Sequence, residues 1–442
     1  MLQESASTAA SPPPPGPKAP VALQLAQRFL TPGPFMQRCV RRYGHIYMLR
    51  MPGGERVVPV SDPAAVKQVF TAPAGSFDVG VGGNAILQPL VGSASLLTLD
   101  DSEHLRHRRL LLPPLHGERM RDYGDLIVEI TERSMRNWPV GEPFAMHPQT
   151  RAITLEVILR AVFGVEQGER QDELREALRD LLSLTGATLA FAPWIRHWAN
   201  RSWVKFMAMR ERIDSLIYRE IARRRGEPDV AERDDILSLL LQATYEDGSP
   251  MSDKDLRDEL VTMLVAGHET TATALAWTFD LLLHDRPALT ALLESLSEGD
   301  DYLDAVITES LRLRPVIAQV SRKTRAPFQL GSYTIPAGAL IAPNIALIHS
   351  RADLYPEPAT FKPQRFLNGD GPETYSWLPF GGGVRRCVGA SFAIFEMKAV
   401  LRTVFEHAQL RAADPQPERA GQRTVTQAPK NGTMVVLERL AL

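Results

Sequence analysis

The chain has 442 residues, 50 Lys and Arg against 52 Asp and Glu, and a net charge of −2. A balance so close to neutral leaves no electrostatic footprint for nucleic acid. Only two cysteines occur, Cys39 and Cys387, which excludes a disulfide-stapled scaffold and suits a reducing compartment; with no signal-peptide pattern and no run of about 20 apolar residues, the cytoplasm is the expected location.

In chain order, residues 1–20 carry Pro12 to Pro15 and read as an extended, poorly ordered lead-in. No low-complexity linker divides residues 21–442, which read as one large domain. Val21 to Tyr43 has a helical pattern interrupted by Pro32-Gly33-Pro34. A hairpin is expected next, with Ile46 and Met48 leading into a Gly53-Gly54 turn and Val57, Val58 and Val60 leading out. Asp62-Pro63 opens a short helix that runs through Phe70.

Residues 75–98 are rich in both glycine and apolar side chains. They read either as a loop with core anchors or as one wall of an apolar pocket built by Ile86, Leu87, Leu90, Leu96 and Leu97. EHLRHRR, 103–109, is a cationic run on a helix. His104 and Arg108 are four apart and share a face that can hold a dianion, with His107 as the competing histidine. Residues 120–225 read as successive amphipathic helices. Within them, 185–206 gathers Phe191, Trp194, Trp198, Trp203 and Phe206, a pattern more often core than ligand site.

Ser252 and Asp255 form a capping-box signal, and helical periodicity continues from Asp253 to about His284. At about 1.5 Å per residue such a helix spans roughly 48 Å. Its centre reads AGHETT, and Met263, Ala266, Gly267 and Thr270 fall on one face. Small residues there leave room for a flat ligand, and the Thr270 hydroxyl can bond a backbone carbonyl. Glu269 beside it completes an acid–alcohol pair suited to moving protons. Further on, Glu309 and Arg312 are an i, i+3 pair, and Pro363-Gln364-Arg365-Phe366 adds a third charge. Alone, such a pair is worth little.

The most telling stretch is FGGGVRRCVGA, Phe380 to Ala390. A thiolate ligand needs a lowered pKa, which cations and a helix N-terminus supply. Arg385 and Arg386 precede Cys387, and an apolar helical run follows it. Gly381, Gly382 and Gly383 let backbone approach a flat group closely, and Gly389 lets N–H groups approach the sulfur. Phe380 can pack beside the ligand.

FGGGVRRCVG resembles the cysteine loop of haem-thiolate monooxygenases, the cytochrome P-450 superfamily, at Phe380, Gly383, Arg385, Cys387 and Gly389. AGHETT resembles that family's acid–alcohol motif, and E-S-L-R with P-Q-R-F resembles its charge clamp, although Gln364 stands where Glu is frequent. GPKAP, RRYG, SLLTLD and LLLPPLHGERMRDYG are similar to a bacterial subgroup acting on fatty acids, alkanes and terpenoids.

The resemblance implies a mainly helical triangular prism with a smaller β-rich part and a haem b cofactor. Cys387 would be the iron ligand, His104, Arg108, Arg322 and Arg385 the propionate ligands, and Ala266 and Gly267 the floor of the dioxygen site. Glu269 and Thr270 would deliver protons. Glu309, Arg312 and Arg365 would be structural. Ile86, Leu87, Leu90, Met263, Val316, Ile317, Gln319 and Thr426 would line an apolar substrate pocket, with 185–206 at its entrance. Electrons would come from a separate ferredoxin or flavodoxin and its NAD(P)H-dependent reductase, docked on a basic face including Arg106, Arg109 and Arg386. The expected protein is a monomer that hydroxylates or epoxidises an apolar small molecule such as a fatty acid, terpenoid or steroid. A haem-thiolate isomerase or peroxygenase and a non-catalytic haem sensor remain as competing readings.

Overall fold

The computed structural model describes residues 11–117, 119–164, 168, 172–181, 201–367, 374–423 and 426–442. Its axis is the helix Asp253–His284. The Ser252 side chain accepts from the Asp255 N–H and Asp255 answers the Ser252 N–H, the reciprocal capping the sequence signals. The helix stops at Asp285, whose carboxylate caps the next helix, Arg286–Ser295, by accepting from Ala288 N at 3.0 Å. Its apolar residues are buried on nearly all sides, among them Leu256, Leu260, Leu264, Leu275, Trp277 and Phe279. Each such side chain contributes about 2 kcal/mol on transfer from water.

The helices Met146–Phe163, Arg201–Arg225, Asp301–Leu313 and Ala390–His407 pack around it, and Arg119–Met135 packs against the first and last of these. Two tight positions explain part of the packing. A Cβ on Gly267 would lie 3.3 Å from Ile158, so the small residue lets Met146–Phe163 come close. Gly164 ends that helix at φ +58°, where a Cβ would also press on Asp235.

The β part lies to one side. Its main sheet runs Leu49–Arg50, Arg56–Val60, Leu340–Pro343, Arg322–Thr324, Phe77–Asp78; only the Arg56–Val60/Leu340–Pro343 pair is parallel. A three-stranded sheet joins Pro143–Ala145, Met434–Leu440 and Ala408–Ala412, and two separate strand pairs are Phe328–Leu330/Tyr333–Ile335 and Ala420–Arg423/Thr426–Pro429.

Three local expectations change. The first helical region breaks at Thr31, and Pro32-Gly33-Pro34 opens the second helix, Pro32–Tyr43, because proline is tolerated in a first turn. The hairpin pairs Leu49–Arg50 rather than Ile46 to Met48, with Ile46 bridging singly to Val60. The lead-in, expected to be loose, is tied down over 11–20: Pro15 O accepts from Met48 N at 2.8 Å, and Pro12 O from Thr334 N at 3.1 Å. Gly16 is needed there, since a Cβ would meet Met48 O at 1.9 Å. Residues 1–10 lie outside the described residues.

The charge clamp forms as a buried lattice. Arg312 donates to Glu309 through Nε at 2.6 Å and Nη2 at 2.8 Å, and Arg365 Nε reaches Glu309 at 3.0 Å. Arg312 also donates to the His349 and Pro358 carbonyls at 2.7 and 2.9 Å. His349 Nδ1 returns a bond to Arg312 O at 3.0 Å, while its Nε2 accepts from Leu378 N at 2.8 Å. The imidazole must be neutral to serve both partners, and burial pushes its pKa down to about 3. The unfolded chain takes up this proton near pH 6.5, so stability is lost as pH falls from about 6.5 towards 3. Urea unfolding of His349→Gln between pH 7 and 4 is expected to lose about one proton's worth of that slope, about 1.4 kcal/mol per pH unit. An unchanged slope would place the titration elsewhere.

Candidate active site

Cys387 lies two residues ahead of Gly389, the N-cap of Ala390–His407. The loop before it is built by close approach. Cys387 N donates to Phe380 O at 3.0 Å, Gly381 N to Leu378 O at 2.9 Å, and Gly381 and Gly383 adopt φ +68° and +66°. A Cβ on Gly382 would strike the Phe70 ring at 2.6 Å, and one on Gly383 the Phe70 carbonyl oxygen at 2.2 Å. Gly382 and Gly383 also make room for the end of the helix Pro63–Phe70. At Gly389 a Cβ would meet no protein atom within 4 Å, and its N–H donates to the Cys387 sulfur. Phe380 is half-buried, edge-on to Trp377 at 6.1 Å.

Cys387 is an exposed residue, yet burial raises the pKa of its thiol, as expected for a sulfur set back in a recess. The Gly389 N–H, Arg108 and Arg386 pull the other way. Around this recess the structure brings together His104, Arg108, Arg322 and Arg385. Arg322, first residue of its strand, is 7 % exposed; its Nη1 donates to Ser321 O at 2.9 Å and its guanidinium lies 5.5 Å from the Phe70 ring centre. Burial, with Arg385 adding repulsion, lowers its pKa to about 10. His104 is buried and pushed down to about 3 by desolvation, then by Arg385 and Arg108. Arg385 bonds Asp100 at 2.6 Å and the Leu96 and Leu99 carbonyls. His107 is elsewhere, between Glu259 (2.8 Å) and the Tyr245 hydroxyl (3.1 Å).

Arg322 is buried near Arg385 and Arg108, with Asp100 bonded to Arg385, and this excess of cations near the sulfur favours an anionic partner. A macrocycle with two carboxylates, its metal bound by one thiolate, fits this donor set. No group of three His, Cys, Asp or Glu able to cage a bare ion is found among the described residues.

On the long helix, Ala266 is exposed and Gly267, Glu269 and Thr270 are half-buried, although the turns on either side are core. The Thr270 hydroxyl donates to Ala266 O at 2.7 Å. The Gly267 carbonyl accepts from Thr271 at 3.0 Å, so the same turn carries two back-bonded threonines. On its Cβ side Gly267 faces Ile158. Glu269 meets Arg151 Nε at 2.7 Å.

Of the expected pocket, Ile86, Leu87, Ile317 and Gln319 are half-buried, and Met263, Val316 and Thr426 nearly buried. The segments carrying Val316 and Thr426 meet where Gln427 N donates to Val316 O at 2.9 Å. Leu90 departs from its expected wall position: at 1 % exposure it is core, its carbonyl turned to Arg257. On the expected docking face, Arg106 is paired with Asp247 at 2.6 Å and Arg109 with Glu246, so their charge is locally neutralised. In the aromatic segment Trp203 and Phe206 stack at 5.3 Å, while Phe191, Trp194 and Trp198 lie outside the described residues.

Sequence reasoning missed Asp100, Phe70, His349 and Glu396. Asp100 had a visible signal, an acid ahead of a helix, but its carboxylate binds Arg385 and the Val79 and Gly80 N–H groups instead of capping. Phe70, His349 and Glu396 act through contacts distant in sequence.

A cysteine beside a cluster of arginines, together with an acid–alcohol pair on the open stretch of an otherwise buried helix, is the residue set of a haem-thiolate protein. The chain belongs to the cytochrome P450 family, whose model "Cytochrome P450" matches residues 12–436. It is 41% identical over 450 residues to "Putative cytochrome P450 138" of Mycobacterium tuberculosis, covering 99% of this chain and 100% of that protein. It is 39% identical over 431 residues to "Putative cytochrome P450 135B1" of Mycobacterium bovis, covering 96% and 90%. In fold it resembles the retinoic acid-bound cyanobacterial CYP120A1 (TM-score 0.84, 24% identity, 98% and 100% covered) and the cytochrome P450DA heme domain (TM-score 0.86, 22% identity, 98% and 100% covered). The fold is that of this family, mainly helical with a smaller β part, and the family's cofactor is protoporphyrin IX haem.

Gly383→Ala would force φ +66° on a Cβ already 2.2 Å from Phe70 O. We expect a loss of about 2 kcal/mol or more and haem content well below wild type, read as Soret absorbance per protein and by thermal melting. Wild-type haem content and melting temperature in this variant would contradict the packing account.

Proposed function

We propose that this chain, a haem-thiolate monooxygenase of the P450 family, oxidises an apolar small molecule of the fatty acid, terpenoid or steroid kind. The observation that carries the reading is the Thr270 hydroxyl on the Ala266 carbonyl at 2.7 Å, one residue from the Glu269 carboxylate and on the exposed stretch of an otherwise buried helix.

Cys387 would hold the haem iron through its sulfur; the Gly389 N–H and the charges of Arg108 and Arg386 favour its thiolate. Arg108, Arg322, His104 and Arg385 would hold the propionates, whose negative charge would offset that of the arginines. When bound, haem supplies dioxygen activation and oxygen insertion. Thr270 keeps the helix turn open by bonding Ala266 O and presents its hydroxyl for proton transfer. Glu269 exchanges protons with solvent when its pairing with Arg151 loosens. Ile86, Leu87, Met263, Val316 and Ile317 exclude water and orient an apolar substrate. Gln319, whose backbone bridges to Asn344, is the polar member of that lining.

P450 proteins generally take electrons from redox partners, and for this one we propose a ferredoxin or flavodoxin with its NAD(P)H-dependent reductase. Arg386 is the candidate docking cation, since Arg106 and Arg109 are ion-paired. Among the described residues no helix is long and apolar enough to cross a membrane. We take the protein to be a cytoplasmic monomer, with residues 21–442 as one domain strapped by the lead-in.

The reduced, carbon monoxide-treated protein should show a strongly red-shifted Soret band, and Cys387→Ser should lose it. An unshifted wild-type band would remove the thiolate assignment. Thr270→Ala should go on consuming reductant while the share of electrons released as hydrogen peroxide rises about tenfold. Unchanged coupling would favour an isomerase or peroxygenase. Fatty acids or terpenoids should displace the ligand-field spectrum to high spin; a response to sugars alone would overturn the substrate class.

A further inference from the structure

Two residues past the clamp arginine Arg312, the chain carries a second arginine whose charge is not answered. Arg314 ends the helix Asp301–Leu313, and its guanidinium carbon lies over the Trp277 ring of the long helix, 5.1 Å from the ring centre. Its Nε–H is buried without an acceptor, and no carboxylate among the described residues comes within ion-pair distance. Asp280, one turn beyond Trp277, is the acid whose field reaches Arg314. That carboxylate is engaged elsewhere: it accepts from Glu418 N at 3.1 Å and meets His284 Nδ1 at 3.3 Å. Burial lowers the Arg314 pKa, and Asp280 offsets this only in part. A native protein rarely leaves a buried donor of this kind without a partner.

Arg314 and Trp277 line a cavity of about 110 Å³ together with Pro315, Ala346, Ser350 and Ala420. Ser350 and Ala420 are exposed and form its rim. The other polar walls are spent. Trp277 Nε1 donates to Gln427 O at 2.9 Å, and the Ser350 hydroxyl donates to Leu347 O at 3.0 Å. Arg312 and His349, also in the wall, belong to the charge clamp. Unused donors therefore come from Arg314, and the rest of the lining is largely apolar. None of the lining residues is Cys387 or one of the four propionate candidates. The nearest link to the substrate lining is Gln427, whose N–H donates to Val316 O at 2.9 Å.

The chemistry of the missing partner follows from this lining. A guanidinium seated over an indole keeps its N–H edge free, and that edge matches the two oxygens of a carboxylate. Phosphate fits less well: its remaining oxygens would face apolar walls with no second cation to pair them. A drug-sized ligand needs roughly 300 Å³ or more, so the cavity admits a carboxyl group with only a few carbons.

We propose that this cavity is a binding site for a short-chain monocarboxylate, its two oxygens on the Arg314 edge and its alkyl end against Pro315, Ala346 and Ala420. The site lies apart from the cysteine recess, so it stands or falls independently of the functional reading.

The experiment is carbon-13 NMR of carboxyl-labelled butyrate titrated with the holoenzyme in its diamagnetic ferrous carbon monoxide state, at fixed ionic strength in sodium chloride. Carbon monoxide keeps butyrate off the iron, and the Soret band of the same sample shows that each variant is folded. Wild type should broaden the carboxyl line saturably. Arg314→Gln should weaken binding about tenfold or more, and Arg314→Lys, which keeps the charge but not the fork, should fall between. Ser350→Glu, at the exposed rim, should also abolish binding by supplying Arg314 with a carboxylate from within the chain. Inorganic phosphate at the same concentration as butyrate should leave the broadening in place. No saturable broadening in wild type, equal binding in Arg314→Gln or Ser350→Glu, or displacement by equimolar phosphate would overturn the proposal.

Discussion

Glu309 is fully buried and takes both its neighbours' charges: Arg312 grips it with two nitrogens, Arg365 with one, and the Lys362 N–H adds a fourth bond at 2.9 Å. Burying that carboxylate is costly unless every lone pair is satisfied, and the chain satisfies them from two separate stretches. Through Arg312 and His349 the lattice reaches the Leu378 N–H, two residues before Phe380. The loop that presents Cys387 is therefore hung from a charge cluster in the core. A loop with this much left-handed backbone has little regular structure of its own to set its course.

The recess around the sulfur obeys the opposite rule. There the protein leaves charge under-compensated: Arg322 is buried near Arg108 and Arg385, with the neutral His104 among them and Asp100 bonded to Arg385. Burial, then this clustering of charge, lowers the pKa values there, and a dianionic cofactor would relieve that cost. Cofactor affinity and folding stability are thus one account in this fold, since the binding partner cancels a repulsion already present.

Much of this was legible because the signals are local. The capping box at Ser252 and Asp255 and the back-bond of Thr270 depend on residues within one or two turns, and the structure repeats them as expected. Cys387, Arg385, Arg108, His104 and Arg322 could be named from motif and spacing, and the chain folds them into one neighbourhood. What was not legible depends on distant parts of the chain. Nothing around Gly382 and Gly383 says that Phe70, more than 300 positions earlier, lies against them. Gly267 reads as space for a ligand, and only tertiary packing shows that it also makes space for Ile158. Leu90 looks like any pocket leucine until Arg257 is seen on its carbonyl. Arg106 and Arg109 look like a docking face until Asp247 and Glu246 are brought over them.

Phe70 carries a consequence of another kind. Its carbonyl and ring stand against Gly383 and Gly382, and the same ring lies beneath Arg322. One side chain thus touches both the ligand loop and a charge of the cofactor recess. Substitutions at these positions cannot have independent effects, because each alters the space in which the others are judged. A smaller residue at 70 would make an alanine at 382 less harmful while withdrawing support from Arg322. Change in this corner is epistatic: an evolving or engineered variant must pass through paired substitutions, and single-residue scans there will overstate how fixed each residue is.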